Sequence, residues 1–187
     1  MSGRLIIGIS GASGVVYGVR LLELLRPLPV ETHLVMTRSA QVTLAYETSY
    51  KVADVQALAD RHYAPDDIAA AVSSGSFKTL GMIVAPCSMR SLSEIAYGNT
   101  THLLTRAADV VLKERRRLVL LPRETPLHLG HLRAMTAVTE AGAIIAPPVP
   151  AFYAKPETVM DMVDFTLARA MDLFDIDLGP ANRWKGG

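Results

Sequence analysis

The chain has 187 residues, with 19 Lys and Arg against 18 Asp and Glu, a net charge of +1. That length fits one domain whose core needs no covalent staple, and the balanced charge excludes a nucleic-acid binder that works through an overall basic surface. The single cysteine, Cys87, excludes an internal disulfide and a Cys-pair zinc site, and the chain is 50% hydrophobic but only 6% aromatic, an aliphatic bias that suits parallel strands buried between helices.

Leu5 to Ile9 is a short, β-branched apolar run that predicts a strand. Gly11-Ala12-Ser13-Gly14 follows, and then Val15, Val19, Leu22 and Leu25 recur at helical spacing until Pro27. Thr32 to Met36 reads as a second strand, with Thr37 or Ser39 capping a helix to about Glu47. Short helical patterns occupy 52–59 and 66–71, and Ser73-Ser74-Gly75-Ser76 has loop chemistry. Gly81 to Ala85 is a third strand stopped by Pro86. Leu103 to Arg115 is a helix with Leu103, Leu104, Ala107, Ala108, Val111 and Leu112 on its apolar face. Leu118 to Leu121 is a fourth strand before Pro122, His131 to Gly142 a helix, and Ala143 to Ala146 a fifth strand before Pro147-Pro148. A long helix spans Val159 to Phe174.

Strands alternating with helices predict an α/β fold, a doubly wound parallel sheet in three layers, with 1–187 as one domain. No apolar stretch approaches the roughly 20 residues that cross a bilayer. The run after Met1-Ser2-Gly3-Arg4 is too short for a secretory signal, so the expected compartment is the cytoplasm.

Ligands of such sheets bind beyond the carboxyl ends of the strands. There the sequence places Gly11-Ala12-Ser13-Gly14, Thr37, Pro86-Cys87-Ser88, Pro122-Arg123-Glu124 and Pro147-Pro148-Val149-Pro150. The glycine loop with Ser10 and Ser13 is either a tight strand-to-helix turn or a cradle for a phosphate-bearing ligand, with the following helix offering free N–H groups. Arg106, Asp109 and Lys113 form either a solvated face with an Asp109–Lys113 pair or a patch for a second anion. Arg123-Glu124 is either an internal ion pair or an anion contact. His128 and His131 have no carboxylate or cysteine companions, so no metal is expected. Cys87, directly after Pro86, is either a nucleophile or, as a lone cysteine in an apolar setting more often is, an inert buried thiol.

Taken in order, Gly11-Ala12-Ser13-Gly14, Pro86-Cys87-Ser88, Arg106-Ala107-Ala108-Asp109-Val110, Leu112-Lys113-Glu114-Arg115-Arg116, Pro122-Arg123-Glu124 and Pro150-Ala151-Phe152-Tyr153 resemble the UbiX-type flavin prenyltransferases. Arg169 and Trp184 continue the resemblance to the end of the chain. It implies a flavodoxin-like fold, trimers assembled into dodecamers, and FMN held between subunits. The implied reaction joins the dimethylallyl group of dimethylallyl phosphate to N5 and C6 of reduced FMN without a metal. The product, prenylated FMN, serves UbiD-type decarboxylases, including those of ubiquinone biosynthesis.

The resemblance sets Gly11, Ala12 and Ser13 at FMN, Ser13 also near the reacting N5. It sets Thr37, Ser88, Met89, Arg90 and Ser91 on FMN as well. Arg123 contacts the flavin or bridges to the donor phosphate. Lys113, Tyr153 and Arg169 look like the prenyl-phosphate clamp. Glu47, Arg106 and Glu124 resemble polar support for the reaction, and Trp184 an aromatic in a segment, about 175–187, that covers it. Two other readings remain at this point: an FMN-dependent decarboxylase of the related cysteine-decarboxylase superfamily, and a non-catalytic FMN carrier.

Overall fold

Alternating burial along the strands divides the molecule into two hydrophobic layers. The computed structural model describes residues 3–179. Leu5, Ile7 and Ile9 of β1 (Gly3–Ile9) face one way with Leu34, Met36, Ile83, Ala85, Val119 and Leu121. Ile6 faces the other way with Val35, Met82, Val84, Leu118 and Leu120. This is the period-2 alternation of strands covered on both faces.

The remaining strands are β2 (Val30–Met36), β3 (Arg61–Tyr63), β4 (Gly81–Cys87), β5 (Arg117–Pro122) and β6 (Ile144–Ile145). Every pairing is parallel, in the order β3-β2-β1-β4-β5-β6. Helices α1 (Val16–Leu25), α2 (Arg38–Glu47), α3 (Val52–Gln56) and α7 (Val159–Asp172) bury Leu22, Leu44, Val55 and Leu167 in the first layer. Helices α4 (Met89–Ala96), α5 (Leu103–Lys113) and α6 (Leu129–Glu140) bury Leu92, Val111 and Val138 in the second. Short 3-10 turns lie at Ala71–Ser73 and Phe152–Ala154. The fold is the expected flavodoxin-like α/β sheet.

Several local expectations are corrected. Residues 66–70 form turns rather than a helix, with Asp67 N and Ile68 N bonded back to Ala64 O and Asp66 O, and Ala71 already opens the 3-10 turn. The helix expected over 52–59 stops at Gln56. Arg61–Tyr63 pairs with β2 as an edge strand that its polar residues do not announce. Pro86 does not end β4, which continues to Cys87 after an irregularity in its pairing with β5. Residues 89–96, given no helix in the sequence reading, form α4, whose Met89, Leu92 and Ile95 pack into the second layer.

Candidate functional site

The sheet order creates a topological switch point between β1 and β4, the place where ligands of doubly wound sheets bind. Hydrogen bonds stitch the loops there into one floor. Ser10, fully buried, donates from Oγ to Pro86 O (3.0 Å) and accepts from Ser88 N (2.7 Å). Ser10 N also donates to Pro86 O (3.2 Å), Thr37 N to Ile9 O (3.0 Å) and Arg123 N to Cys87 O (3.2 Å). The carboxyl ends of β1, β2, β4 and β5 are therefore mutually fixed.

Two helix N-termini start from this floor. Thr37 caps α2 by accepting from Ala40 N (3.1 Å), and Ser88 caps α4 by accepting from Ser91 N (3.2 Å). The cap satisfies one N–H at each end, and the other first-turn N–H groups have no partner within their helix, so each end favours an anion. Ser88 Oγ lies 3.2 Å from Ser91 Oγ. Gly11 lets α2 come close: a Cβ there would collide with the Ser39 side chain and stand 3.1 Å from its carbonyl carbon.

The start of α1 behaves differently from the sequence expectation. The N–H groups of Gly14 and Val15 both donate to Glu47 Oε2, at 2.8 and 3.1 Å. A carboxylate from the end of α2 thus occupies the position expected to receive a ligand anion. Glu47 ties the glycine loop to α2, while Ser13 remains exposed on the loop and Ala12 is buried.

At the start of α4, Met89 is buried in the second layer, whereas Arg90 is exposed and paired with Glu94 (2.9 Å). Ser91 is 3% exposed. Cys87 is fully buried, and burial pushes its thiol up to about 12, so it stays protonated and unreactive near neutrality.

The cationic residues divide between opposite edges of the sheet. Arg123 is exposed at the carboxyl edge, and its side chain makes no ion pair among the described residues. The internal Arg123–Glu124 pair does not form; Glu124 instead accepts from Thr125 N (3.1 Å). Arg169 pairs with Asp172 (2.5 Å) and lines a cleft of about 200 Å³ with Leu121, Ala146, Pro147 and Phe165. Tyr153, 54% exposed, meets the edge of Phe165 with ring centroids 5.6 Å apart. These groups belong to the carboxyl side.

Lys113 does not. Helix α5 starts beside Pro65, past the end of β3, with Leu103 N bonded to Pro65 O (2.9 Å), and finishes just before β5 begins. Its last residue, Lys113, therefore sits at the amino edge, paired with Glu114 (2.5 Å). The expected Asp109–Lys113 pair is replaced by Arg106–Asp109 (2.8 Å). Within one chain Lys113 is not brought to Arg123, Tyr153 and Arg169. Trp184 lies outside the described residues, as does most of the 175–187 segment. Among the described residues no three His, Cys, Asp or Glu gather as a metal site, and no helix is long and apolar enough to cross a membrane.

Two features escaped the sequence reading. Ser10 was visible as a loop hydroxyl, but its partners lie more than 70 residues away and only the fold joins them. The N-terminus of α4 was hidden by its polar first turn, although Ser88 followed by Met89, Leu92 and Ile95 carries a cap and an apolar face.

Comparison with known proteins adds a family. A model described as Flavoprotein matches residues 2–171. A flavin prenyltransferase UbiX from Escherichia coli K12 is 58% identical over 187 residues, 98% of each chain. A UbiX protein solved in complex with FMN and dimethylallyl pyrophosphate superposes with a TM-score of 0.98 at 51% identity, covering all of both chains. A dodecameric FMN-dependent UbiX-like decarboxylase from Escherichia coli O157:H7 gives 0.95 at 52% identity, covering 98% of this chain and 100% of the other.

Proposed function

The chain belongs to the UbiX-type flavin prenyltransferases, and from that premise we propose how its residues carry out dimethylallyl transfer. The observation that carries this reading is the pair of capped helix N-termini converging on one hydrogen-bonded floor at the switch point. Their first-turn N–H groups, with the hydroxyls of Ser13, Thr37, Ser88 and Ser91, suit the phosphate and polar ring edge of FMN. Gly11 and Ala12 are small enough for close approach. Met89 contributes backbone rather than side chain, since its side chain is buried in the core. Reduced FMN supplies the nucleophilic N5 and C6 that accept the dimethylallyl group.

The donor is dimethylallyl phosphate. Its C–O bond breaks with both electrons going to phosphate, and positive charge develops on the allyl carbon. Lys113, Arg123 and Arg169 neutralise the leaving phosphate, so no metal is required. Tyr153 completes the clamp and, with Phe165 and the aliphatic wall of Leu121 and Val149, keeps water from the allyl carbon. Glu47 holds the glycine loop so that Ser13 stands at the reacting edge. Arg106 and Glu124 give polar support. The edge-to-edge separation of Lys113 from the other clamp residues means a second copy supplies it, in keeping with a trimer-based dodecamer. Prenylated FMN passes to a UbiD-type decarboxylase, and the reaction takes place in the cytoplasm.

The test is to mix the protein with reduced FMN and dimethylallyl phosphate and to weigh the released flavin. A flavin heavier by C5H8 is expected. An unchanged flavin, with either the mono- or the diphosphate donor, refutes the assignment; CO2 release from an aromatic acid in its place would favour a decarboxylase.

A further inference from the structure

The loop ahead of β4 has no part in the reaction described above, yet it packs on the end of α5. That helix closes with a left-handed residue, Arg115 (φ 56°), with Arg115 N bonded to Leu112 O (3.0 Å) and Arg116 N to Val111 O (2.9 Å). This paired closure turns the chain back across the helix end. It brings Arg116 over the loop, where Nη1 donates to Phe77 O (2.7 Å) and Nη2 to Gly75 O (2.6 Å). The Arg116 side chain is only 16% exposed, and its Nη2 is 3.9 Å from Glu114 Oε2.

Gly75 is thereby pressed against the Lys113–Glu114 pair. A Cβ at Gly75 would collide with Glu114 Oε1 and stand 2.8 Å from both Glu114 Cδ and Lys113 Nζ. Gly75 is not among the residues with positive φ, so its backbone suits any residue. What the position requires is the absence of a side chain. The atoms a methyl would meet are the far ends of two flexible, half-exposed side chains, which can move aside at little cost to the fold.

We propose that Gly75 and Arg116 are positioning residues for the Lys113 ammonium. Arg116 pins the loop to the end of α5, and the bare backbone at Gly75 leaves the space in which Glu114 holds Lys113. The proposal rests on the reading of Lys113 as a contact to the donor phosphate. It deepens that reading by naming what fixes the contact.

A double-mutant cycle in the assembled enzyme tests it. Gly75→Ala should raise KM for dimethylallyl phosphate about tenfold, a coupling of about 1.4 kcal/mol. FMN affinity and melting temperature should stay near their starting values. Arg116→Met should raise the same KM through the loosened loop. In a Lys113→Ala background neither change should raise KM further, a result that a merely structural role would not produce. An unchanged KM in Gly75→Ala, or an equal rise with and without Lys113, overturns the proposal. If Lys113→Ala by itself leaves KM for the donor unchanged, the reading of Lys113 fails instead, and the two failures are told apart by that single variant.

Discussion

Ser10→Ala isolates the bond that joins the two halves of the switch point. The hydroxyl is fully buried and does two jobs, donating to Pro86 O and accepting from Ser88 N at 2.7 Å. After its removal Pro86 O keeps the Ser10 N–H at 3.2 Å, so the acceptor is still served. The Ser88 N–H, on a half-buried residue, loses its only partner among the described residues, at a cost of about 1–3 kcal/mol. For a chain of this length each kcal/mol lowers Tm by about 2–4 °C, so a fall of between about 2 and 12 °C is expected. The same loss frees the N-terminus of α4 to shift against the β1 loop. FMN affinity should therefore drop by about tenfold or more, because a ligand bridging two loops depends on their spacing. The assay is thermal unfolding at fixed protein concentration without FMN, since ligand and assembly both raise the apparent Tm, followed by titration with FMN monitored by flavin fluorescence. A Tm within about 1 °C of the parent, together with unchanged FMN affinity, would refute the reasoning, because it would show that the bond from Ser88 N to Ser10 Oγ holds neither the fold nor the spacing of the two loops.

Two further outcomes follow from groups away from the site. His33 is 2% exposed between Tyr63 and Phe77, with Nδ1 2.8 Å from Tyr63 Oη and Nε2 3.2 Å from Glu31 Oε1. Burial holds its pKa below the ordinary value, outweighing Glu31 and Asp60, which favour the charged ring, while Arg4 acts with burial. The unfolded chain therefore takes up this proton first, and stability falls as pH drops below about 6.5. His33→Gln should flatten the decline in urea midpoint between about pH 7 and 5.5 that this ring causes; an identical pH slope in the variant would show that His33 does not contribute. His102, lowered for the same reason, remains as a residual slope. Arg115→Gly should stabilise the chain by about 0.5–1 kcal/mol, since φ of 56° strains a residue with a Cβ by more than glycine's extra unfolded-state entropy costs. The expected rise in Tm is about 1–4 °C, and a fall would sink the argument.

The central strands were readable because burial leaves a local trace. Leu5 to Ile9 and Leu118 to Leu121 are apolar runs bounded by turns, and each is a strand. Arg61–Tyr63 carries no such trace: Arg61 and His62 are exposed, and the segment is a strand only because β2 offers it a ladder. Strand β4 runs through Pro86 to Cys87, because a proline stops a strand only where the ladder needs its N–H.

Residue types at the site were equally legible, since a glycine loop, hydroxyls and arginines beyond strand ends are readable one loop at a time. Their mutual placement was not. Glu47 was visible as a helix-end carboxylate, but its hold on Gly14 and Val15 depends on α2 lying against the β1 loop. Lys113 and Arg169 look alike as cations in the sequence, yet one closes α5 at the amino edge and the other faces a cleft at the carboxyl edge.

By itself the sequence determined the parallel α/β class, the apolar faces and the chemistry available at each loop, because propensity and hydrophobic period act over a few neighbouring residues. Only the tertiary structure decided which loops meet at the switch point, which helix ends remain open to an anion and which cation lies at the opposite edge of the sheet from the others. Those outcomes follow from strand order and helix direction, contacts between residues far apart in the chain, for which no local pattern is required.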